Sequence, residues 1–537
     1  MEKTLEHLIL ILTCIALLWV GIGDIWGHRI HHDFPYSYLA TDTFQHQTRA
    51  QWIKDAGNYK YEAPYYSGGL TNVIGFYPPI FYHITVILSH LSQQEVYDII
   101  ILLPVLFAIT GMLLMYSIIR QIHKAYAILC IPFVSFIFYI KETFVAFFWG
   151  HWPALSGDLF LFFSTVAVMQ YHKKNLWIII AILMAGTVLT HTAAFVFTIL
   201  FWILWIIYTH TIEKKFCPTK KDIILTIIVV TILTFSFLNL FRQSWMIIHP
   251  FELAPVTDWT GGGGYLQFNN FGIAKYLLLA GIPIGIFLAR KQKELLLSLF
   301  FLIAGLTNYI GFTIRAFNLR FFWPITLAPL FALPIFLTIK KTGTKTFMIS
   351  VIIAIILFSV ITNANYKRAI DQSGFMNQYI WENFMWLKTN TPANATVYFG
   401  YGDLYDQDAG LANAQRVFTR TEAEHFVQYY KNKTISRYIL TKLFTEGGAG
   451  LPYKVAPFKY ELYINQNKSW TQNNIIRDIC NYDYYLFDTG GQYPDLIKYS
   501  LSYGETMLKT GNFEIVHQNP WSVILHNKKL GEDCIGR

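Results

Sequence analysis

The chain has 537 residues, 54% of them hydrophobic, 17% aromatic and only 14% charged; soluble domains carry about 25% charged residues, so an ordinary soluble fold is excluded and a membrane protein expected. Its formal net charge of +9 would suit nucleic acid, but the lysines and arginines gather in short loops between apolar runs, where they orient spans and meet anionic lipid, so no nucleic-acid partner is expected. Of the five cysteines, Cys14 and Cys130 lie in apolar runs, Cys217 in a lysine-rich loop, and Cys480 and Cys534 in the hydrophilic tail; none has metal-ligand spacing, and the pairing of the last two stays open.

The first apolar run, 5–22, follows Glu2 and Lys3 with no Ala-x-Ala cleavage site after it, and reads as a retained span. The stretch from Asp24 to Ser92 then carries Thr41-Asp42-Thr43-Phe44-Gln45-His46, an aromatic and glycine-rich run, and Phe76-Tyr77-Pro78-Pro79-Ile80-Phe81-Tyr82. If helical, Asp42, His46 and Arg49 stand on one face. A carboxylate and an imidazole so placed can deprotonate a hydroxyl or hold a divalent cation. Equally, Thr41 or Asp42 can cap a helix that continues to Lys54, and the two roles are compatible. The segment Pro79 to Leu91 is short for a span, and counting it as one would put the basic loops after it outside. It is expected to be a helix lying against or dipping into the membrane, started by Pro78 and Pro79.

Further runs near 98–119, 125–140, 155–171, 176–190, 192–208, 222–240, 276–289, 294–312, 321–339 and 346–362 bring the expected total to about eleven spans. The basic loops at Arg120 to Lys124, His172 to Lys174, Lys214 to Lys221, Arg290 to Lys293 and Lys340 to Lys345 fall on one side, which the positive-inside rule makes cytoplasmic. The N-terminus is then cytoplasmic, with loops 23–98, 141–154 and 241–275 and the tail extracytoplasmic. The second of these loops holds Glu142 and Trp149-Gly150-His151-Trp152-Pro153. Asp158 follows in the outer end of a span, where a carboxylate is costly enough to imply a role or a buried partner. His151, and His191 in Leu189-Thr190-His191-Thr192, suit either structural or active-face duty. The third loop holds His249-Pro250-Phe251-Glu252 and the glycines 261–264, and reads as a lid bringing a second carboxylate in Glu252 or as a plain connector.

Residues 1–363 are thus expected to form a transmembrane domain and 364–537 a soluble one of ordinary size. In the latter, Gln378 to Leu387 reads as a helix, Thr391-Pro392-Ala393-Asn394 as a turn, and Thr396 to Phe399, Tyr484 to Phe487 and Val523 to His526 as strands of a mixed α/β domain. Three Asn-x-Ser/Thr patterns, at Asn394, Asn432 and Asn467, are read as chance matches in an Asn-rich segment.

Asp42-Thr43-Phe44-Gln45-His46 after the first span, Gly75-Phe76-Tyr77-Pro78-Pro79-Ile80-Phe81-Tyr82 closing the loop, and Trp149-Gly150-His151-Trp152-Pro153 in the next together resemble the GT-C superfamily of integral-membrane glycosyltransferases. The look is nearest to members labelled as related to 6-pyruvoyl-tetrahydropterin synthase, akin to oligosaccharyltransferase catalytic subunits and protein mannosyltransferases. Leu189 to Thr192 and Trp386-Leu387-Lys388-Thr389-Asn390-Thr391-Pro392 are similar to recurrent features of such proteins.

The resemblance implies a polytopic α-helical membrane protein with an extracytoplasmic mixed α/β domain, in the cytoplasmic membrane of a prokaryote. It also implies transfer of a sugar from a polyprenyl-phosphate or pyrophosphate donor to a glycan, lipid or protein acceptor. Asp42 matches the catalytic carboxylate, acting as base or through a divalent cation such as Mg or Mn, with His46 beside it. Arg315 and Arg320, at the external end of a span, suit a lipid phosphate, and equally an ordinary interfacial anchor. The sequence departs from the oligosaccharyltransferase pattern in the second loop: in place of an acidic pair stand Glu142, His151 and Asp158. A transporter of lipid-linked sugars and a non-catalytic assembly subunit are the competing readings. Against the transporter, no internal repeat is visible and the polar residues cluster at one face.

Overall fold

The structure is a computed structural model that describes residues 3–26, 29–39, 41–66, 73–74, 77–140, 143, 147–170, 176–214, 218–245, 268–306, 323–340, 374–401, 404–421, 435–442, 454–455, 474–489 and 494–536. The chain opens with α1 (Lys3–Trp26), α2 (Thr41–Ala56), the short strand β1 (Val73–Ile74), α3 (Ile80–Ser92) and α4 (Val96–Arg120). The bundle continues with α5 (Lys124–Val134), α6 (Phe136–Tyr139), α7 (Trp152–Met169), α8 (Trp177–Thr190), α9 (Thr192–Thr211), α10 (Lys220–Trp245), α11 (Lys275–Ala289), α12 (Leu296–Leu306) and α13 (Trp323–Ile339).

Five helices among the described residues are long and apolar enough to cross a membrane, at Val96–Arg120, Trp152–Met169, Ala194–Thr211, Lys220–Leu240 and Asn270–Ala289, and shorter apolar helices pack among them. The run expected at 346–362 lies outside the described residues, as does the domain boundary at 363. The run expected at 125–140 is an apolar helical stretch over Lys124–Phe138 with a local irregularity at Ser135, whose Oγ donates to the carbonyl of Pro132, a residue with no amide to give the ladder. α3 matches the short helix expected after Pro79. It buries Phe81, Tyr82 and Val86 against the bundle and leaves Ile87 and Leu91 outward.

The bundle's outer faces are apolar: α10 exposes Ile224, Ile227, Ile232 and Phe235, surface that suits hydrocarbon and not water. Inside, small residues let helices close on each other. At Gly281 of α11 a Cβ would fall 1.9 Å from the Leu330 carbonyl oxygen of α13, so only glycine fits. Glu6 of α1 is fully buried and takes hydrogen bonds from Tyr116 and Arg120 of α4, the partners that a carboxylate in an apolar bundle requires.

The tail contains α14 (Gln378–Asn390), β2 (Thr396–Tyr401), α15 (Leu404–Ala414), β3 (Val417–Thr421), β4 (Tyr438–Lys442), β5 (Lys454–Val455), β6 (Asn474–Asp478), β7 (Tyr484–Asp488), α16 (Pro494–Lys509), β8 (Phe513–Asn519) and β9 (Ser522–Asn527). Seven strands form one sheet in the order β6-β4-β3-β2-β7-β9-β8. β2 runs parallel to β3 and β7, with α15 crossing between β2 and β3, and the outer pairs are antiparallel. Tyr398, Tyr485 and Tyr503 fill its core, and Cys480 and Cys534 form a disulfide beside them. β1, from the loop that follows α2, pairs antiparallel with β5, so bundle and tail share a ladder.

Candidate active site

α2 is positioned before it begins. The segment entering it is pinned to the first turn of α4: His32 Nδ1 lies 2.8 Å and His31 Nδ1 3.6 Å from the Asp98 carboxylate, and Tyr38 Oη donates to the Tyr97 carbonyl at 2.9 Å. The helix starts at Thr41, with Asp42 in its first turn, where the helix dipole favours a negative charge. Asp42 is partly exposed, and the turns after it are buried, with Phe44 and Thr48 inaccessible and His46 only 4% exposed.

His46 has a partner on each side. Its Nδ1 lies 2.7 Å from Tyr82 Oη on α3, and its ring also hydrogen-bonds the Gly150 carbonyl. A carbonyl can only accept, so the neutral ring keeps its N–H for Gly150 and accepts a hydrogen bond from the Tyr82 hydroxyl at Nδ1. Tyr77, Tyr82 and Trp152 ring the imidazole at centroid distances of 5.3, 5.7 and 6.1 Å. Burial holds its pKa well below the ordinary value, and Arg49, His151 and His191 push the same way. Arg49, one turn on, donates from Nε to Glu62 at 3.0 Å and stacks its guanidinium 5.1 Å from the Tyr77 ring centre.

The Trp149-Gly150-His151-Trp152-Pro153 motif meets this helix end. Gly150 has φ +78°, and a Cβ there would lie 2.6 Å from the Thr43 amide nitrogen and 2.8 Å from the Asp42 carbonyl carbon. Only glycine allows both the left-handed backbone and the approach. Leu39 donates its amide to the Phe148 carbonyl at 3.1 Å, and Trp152 Nε1 donates to the Phe147 carbonyl at 2.6 Å. His151 stands at the start of α7, and His191 between α8 and α9; at Gly157 of α7 a Cβ would lie 2.6 Å from the His191 Cβ. Asp158, two turns into α7, is 7% exposed and has no hydrogen-bond or ion-pair partner among the described residues.

Asp42, His46, Arg49, His151 and His191 therefore converge on one end of the bundle. Arg315, Arg320, Glu142 and Glu252 lie outside the described residues. Among the described residues no group of three His, Cys, Asp or Glu side chains is placed to hold a metal. Asp42 supplies one carboxylate and both His46 nitrogens are engaged, so the described donors do not fit a Mg or Mn site, which wants several oxygens.

Three features escaped the sequence reading: Tyr82 as the partner of His46, Glu62 as that of Arg49, and a cleft of ≈ 390 Å³ between Asn58-Tyr59-Lys60 and the Phe235 to Leu240 turn of α10. Tyr59 forms a wall of this cleft, bonds Ser236 at 2.8 Å, and lies beside Arg49, Tyr77 and Tyr82 on its other side. The Tyr-Pro-Pro-Ile-Phe-Tyr motif held the signal for Tyr82; nothing local marked the other two.

No protein-family model and no curated protein matches the sequence. The fold does match solved structures. An oligosaccharyltransferase from Archaeoglobus fulgidus is 12% identical, with a TM-score of 0.57 over 93% of this chain and 72% of that one. ArnT from Cupriavidus metallidurans is 10% identical, with a TM-score of 0.54 over 99% of this chain and 100% of that one. The arabinofuranosyltransferase AftD from Mycobacteria is 12% identical, with a TM-score of 0.54 over 99% of this chain and 40% of that one. All three are GT-C glycosyltransferases, and this chain has their fold. The archaeal enzyme has been solved with dolichol phosphate and, separately, with Zn and sulfate, and ArnT with undecaprenyl phosphate.

Proposed function

We propose that this chain is a membrane glycosyltransferase that moves a sugar from a polyprenyl-phosphate or pyrophosphate donor to an acceptor on the extracytoplasmic face, with Asp42 as the base. One observation carries the reading: within a fold shared with GT-C glycosyltransferases, Asp42 is a half-buried residue at the head of a helix whose following turns are buried and braced. An acceptor hydroxyl or amide attacks the anomeric carbon and gives its proton to Asp42. The bond from that carbon to the carrier oxygen breaks, and its electron pair leaves with the phosphate. His46, with both nitrogens engaged, holds the helix in place and leaves the proton to Asp42. Arg315 and Arg320 are the cations proposed to meet the departing phosphate.

Carriage on a lipid is supported by the cleft beside Tyr59. Its lining combines Asn58, Lys60 and Asn239 with Phe235 and Leu240 of α10, polar and apolar groups of the kinds that a phosphate on a long isoprenoid tail would meet. The neighbours solved with dolichol and undecaprenyl phosphates point the same way.

The test uses the full-length protein in lipid nanodiscs with synthetic short-chain polyprenyl-phosphate sugars, reading released polyprenyl phosphate by mass spectrometry. Asp42→Asn should lower release by about 10²–10⁴-fold, the usual contribution of a positioned base, with an unchanged melting temperature. Release at the wild-type rate in that variant sinks the assignment. Lipid-linked sugar crossing the bilayer of reconstituted vesicles with no acceptor modified would favour a transporter instead.

A further inference from the structure

α2 has two opposite faces. Asp42, Gln45, His46 and Arg49 recur at three- and four-residue spacing on one, and Gln47, Gln51 and Asp55 on the other. The second face belongs to the tail. Gln47 donates from Nε2 to Asn413 Oδ1 at 2.7 Å, with the two residues only 3% and 4% exposed. Asn413 in turn donates from Nδ2 to the Ala409 carbonyl of its own helix, α15, at 2.8 Å, which fixes the direction in which its oxygen points. Gln415, just past α15, donates to Asp55 Oδ2 at 3.3 Å, and Asp55 Oδ1 accepts from Gln51 at 2.8 Å.

This pairing is not optimised for stability. Gln47 Oε1 is buried with no hydrogen-bond partner among the described residues. A buried amide pair with one acceptor orphaned stabilises less than two apolar side chains of the same shape. What it adds is direction, because a hydrogen bond accepts a narrow range of distance and angle whereas apolar surfaces tolerate sliding. α2 is also the element whose lateral position sets where Asp42 stands.

We infer that the Gln47–Asn413 bridge is a positioning device through which the tail sets the lie of α2 and hence of Asp42. Asn413 is then a positioning residue for the transfer proposed above, and only the rate readout rests on that reading. The bridge lies on the far side of the helix from His46, so its loss moves the site without removing any group from it.

The experiment compares full-length wild type with the apolar pair Gln47→Leu/Asn413→Leu and the exchanged pair Gln47→Asn/Asn413→Gln. Spin labels at Ala56, the last residue of α2, and at Leu530, exposed on the tail, report the position of α2 by their distance distribution. The apolar pair should melt at or above the wild-type temperature yet show a shifted or broadened distribution. Its maximal rate should be roughly tenfold lower, with the donor concentration at half-maximal rate within about twofold of wild type. The exchanged pair, with the same total number of methylenes, should restore the narrow distribution and the rate. An apolar pair with the wild-type distribution overturns the inference, as does a rate that falls only in step with melting temperature. If wild type transfers no sugar from any donor, the proposed reaction fails, and the distance arm alone decides the bridge.

Discussion

At the residue scale, the site is organised around a histidine that is kept neutral. The folded ring binds a proton less readily than the unfolded one, because burial, then Arg49, His151 and His191, disfavour the cation. The stabilisation is therefore complete above the ordinary histidine pKa of about 6.5 and is lost as pH falls from there towards the depressed folded value. The slope is up to about 1.4 kcal/mol per pH unit for one proton. Melting temperature measured from pH 8 to pH 5 should fall on the acid side for wild type and fall less for His46→Gln, whose amide can accept from Tyr82 and donate to Gly150. Equal slopes would mean that His46 takes no part. The face shared by Asp42, His46 and Arg49 was legible in the sequence because helix periodicity is local. Tyr82 and Glu62, their partners, lie 36 and 13 residues away along the chain, where no periodic signal reaches.

At the element scale, α2 is held from several sides, its first turn included. α3 brings Tyr82, the Gly150 turn before α7 closes on the helix end, and α15 binds the opposite face. Gly150 is the narrowest of these joints. Alanine there would need a left-handed backbone, which costs roughly 1–2 kcal/mol for a residue with a Cβ, and would also meet backbone of α2 at 2.6 Å, where nothing flexible can yield. Gly150→Ala should therefore destabilise the protein and, in the folded fraction, slow transfer by on the order of 100-fold, because a displacement of about 1 Å at the reacting group has that effect. Comparing the specific activity of the folded fraction with its melting temperature separates the two losses. The motif Trp149-Gly150-His151-Trp152-Pro153 was visible in the sequence. That its glycine abuts Asp42 was not, since the contact joins stretches far apart along the chain.

At the scale of the whole molecule, the tail is the part in which the sequence reading was least complete. The strands at Thr396–Tyr401, Tyr484–Asp488 and Ser522–Asn527 were visible as apolar runs because they lie inside the sheet. Val417–Thr421 and Tyr438–Lys442 also have a neighbour on each side, but each is short and carries a charge, Arg420 and Lys442, and the edge strand Asn474–Asp478 carries Arg477 and Asp478, so composition masked them. The Cys480–Cys534 pairing, open in the sequence, closes a separation of 54 residues and bears on topology. A disulfide persists in an oxidising compartment, which lies outside the cytoplasm. The positive-inside pattern of the loops had put the tail on that side independently. Two measurements follow. A membrane-impermeant maleimide, applied to intact cells after mild reduction, should label Cys480 and Cys534; labelling only after the membrane is broken would reverse the topology and move Asp42 to the cytoplasmic face. In the purified protein, replacing both cysteines by serine should destabilise the tail by about 2–4 kcal/mol, read as a lower denaturant midpoint. Because Asn413 and Gln415 couple the tail to α2, that loss should spread to the Asp42 helix. In the serine variant, hydrogen exchange in α2 should quicken along with exchange in β7 and β9; if α2 stays protected while the sheet loosens, the tail is a separate body that merely touches the site.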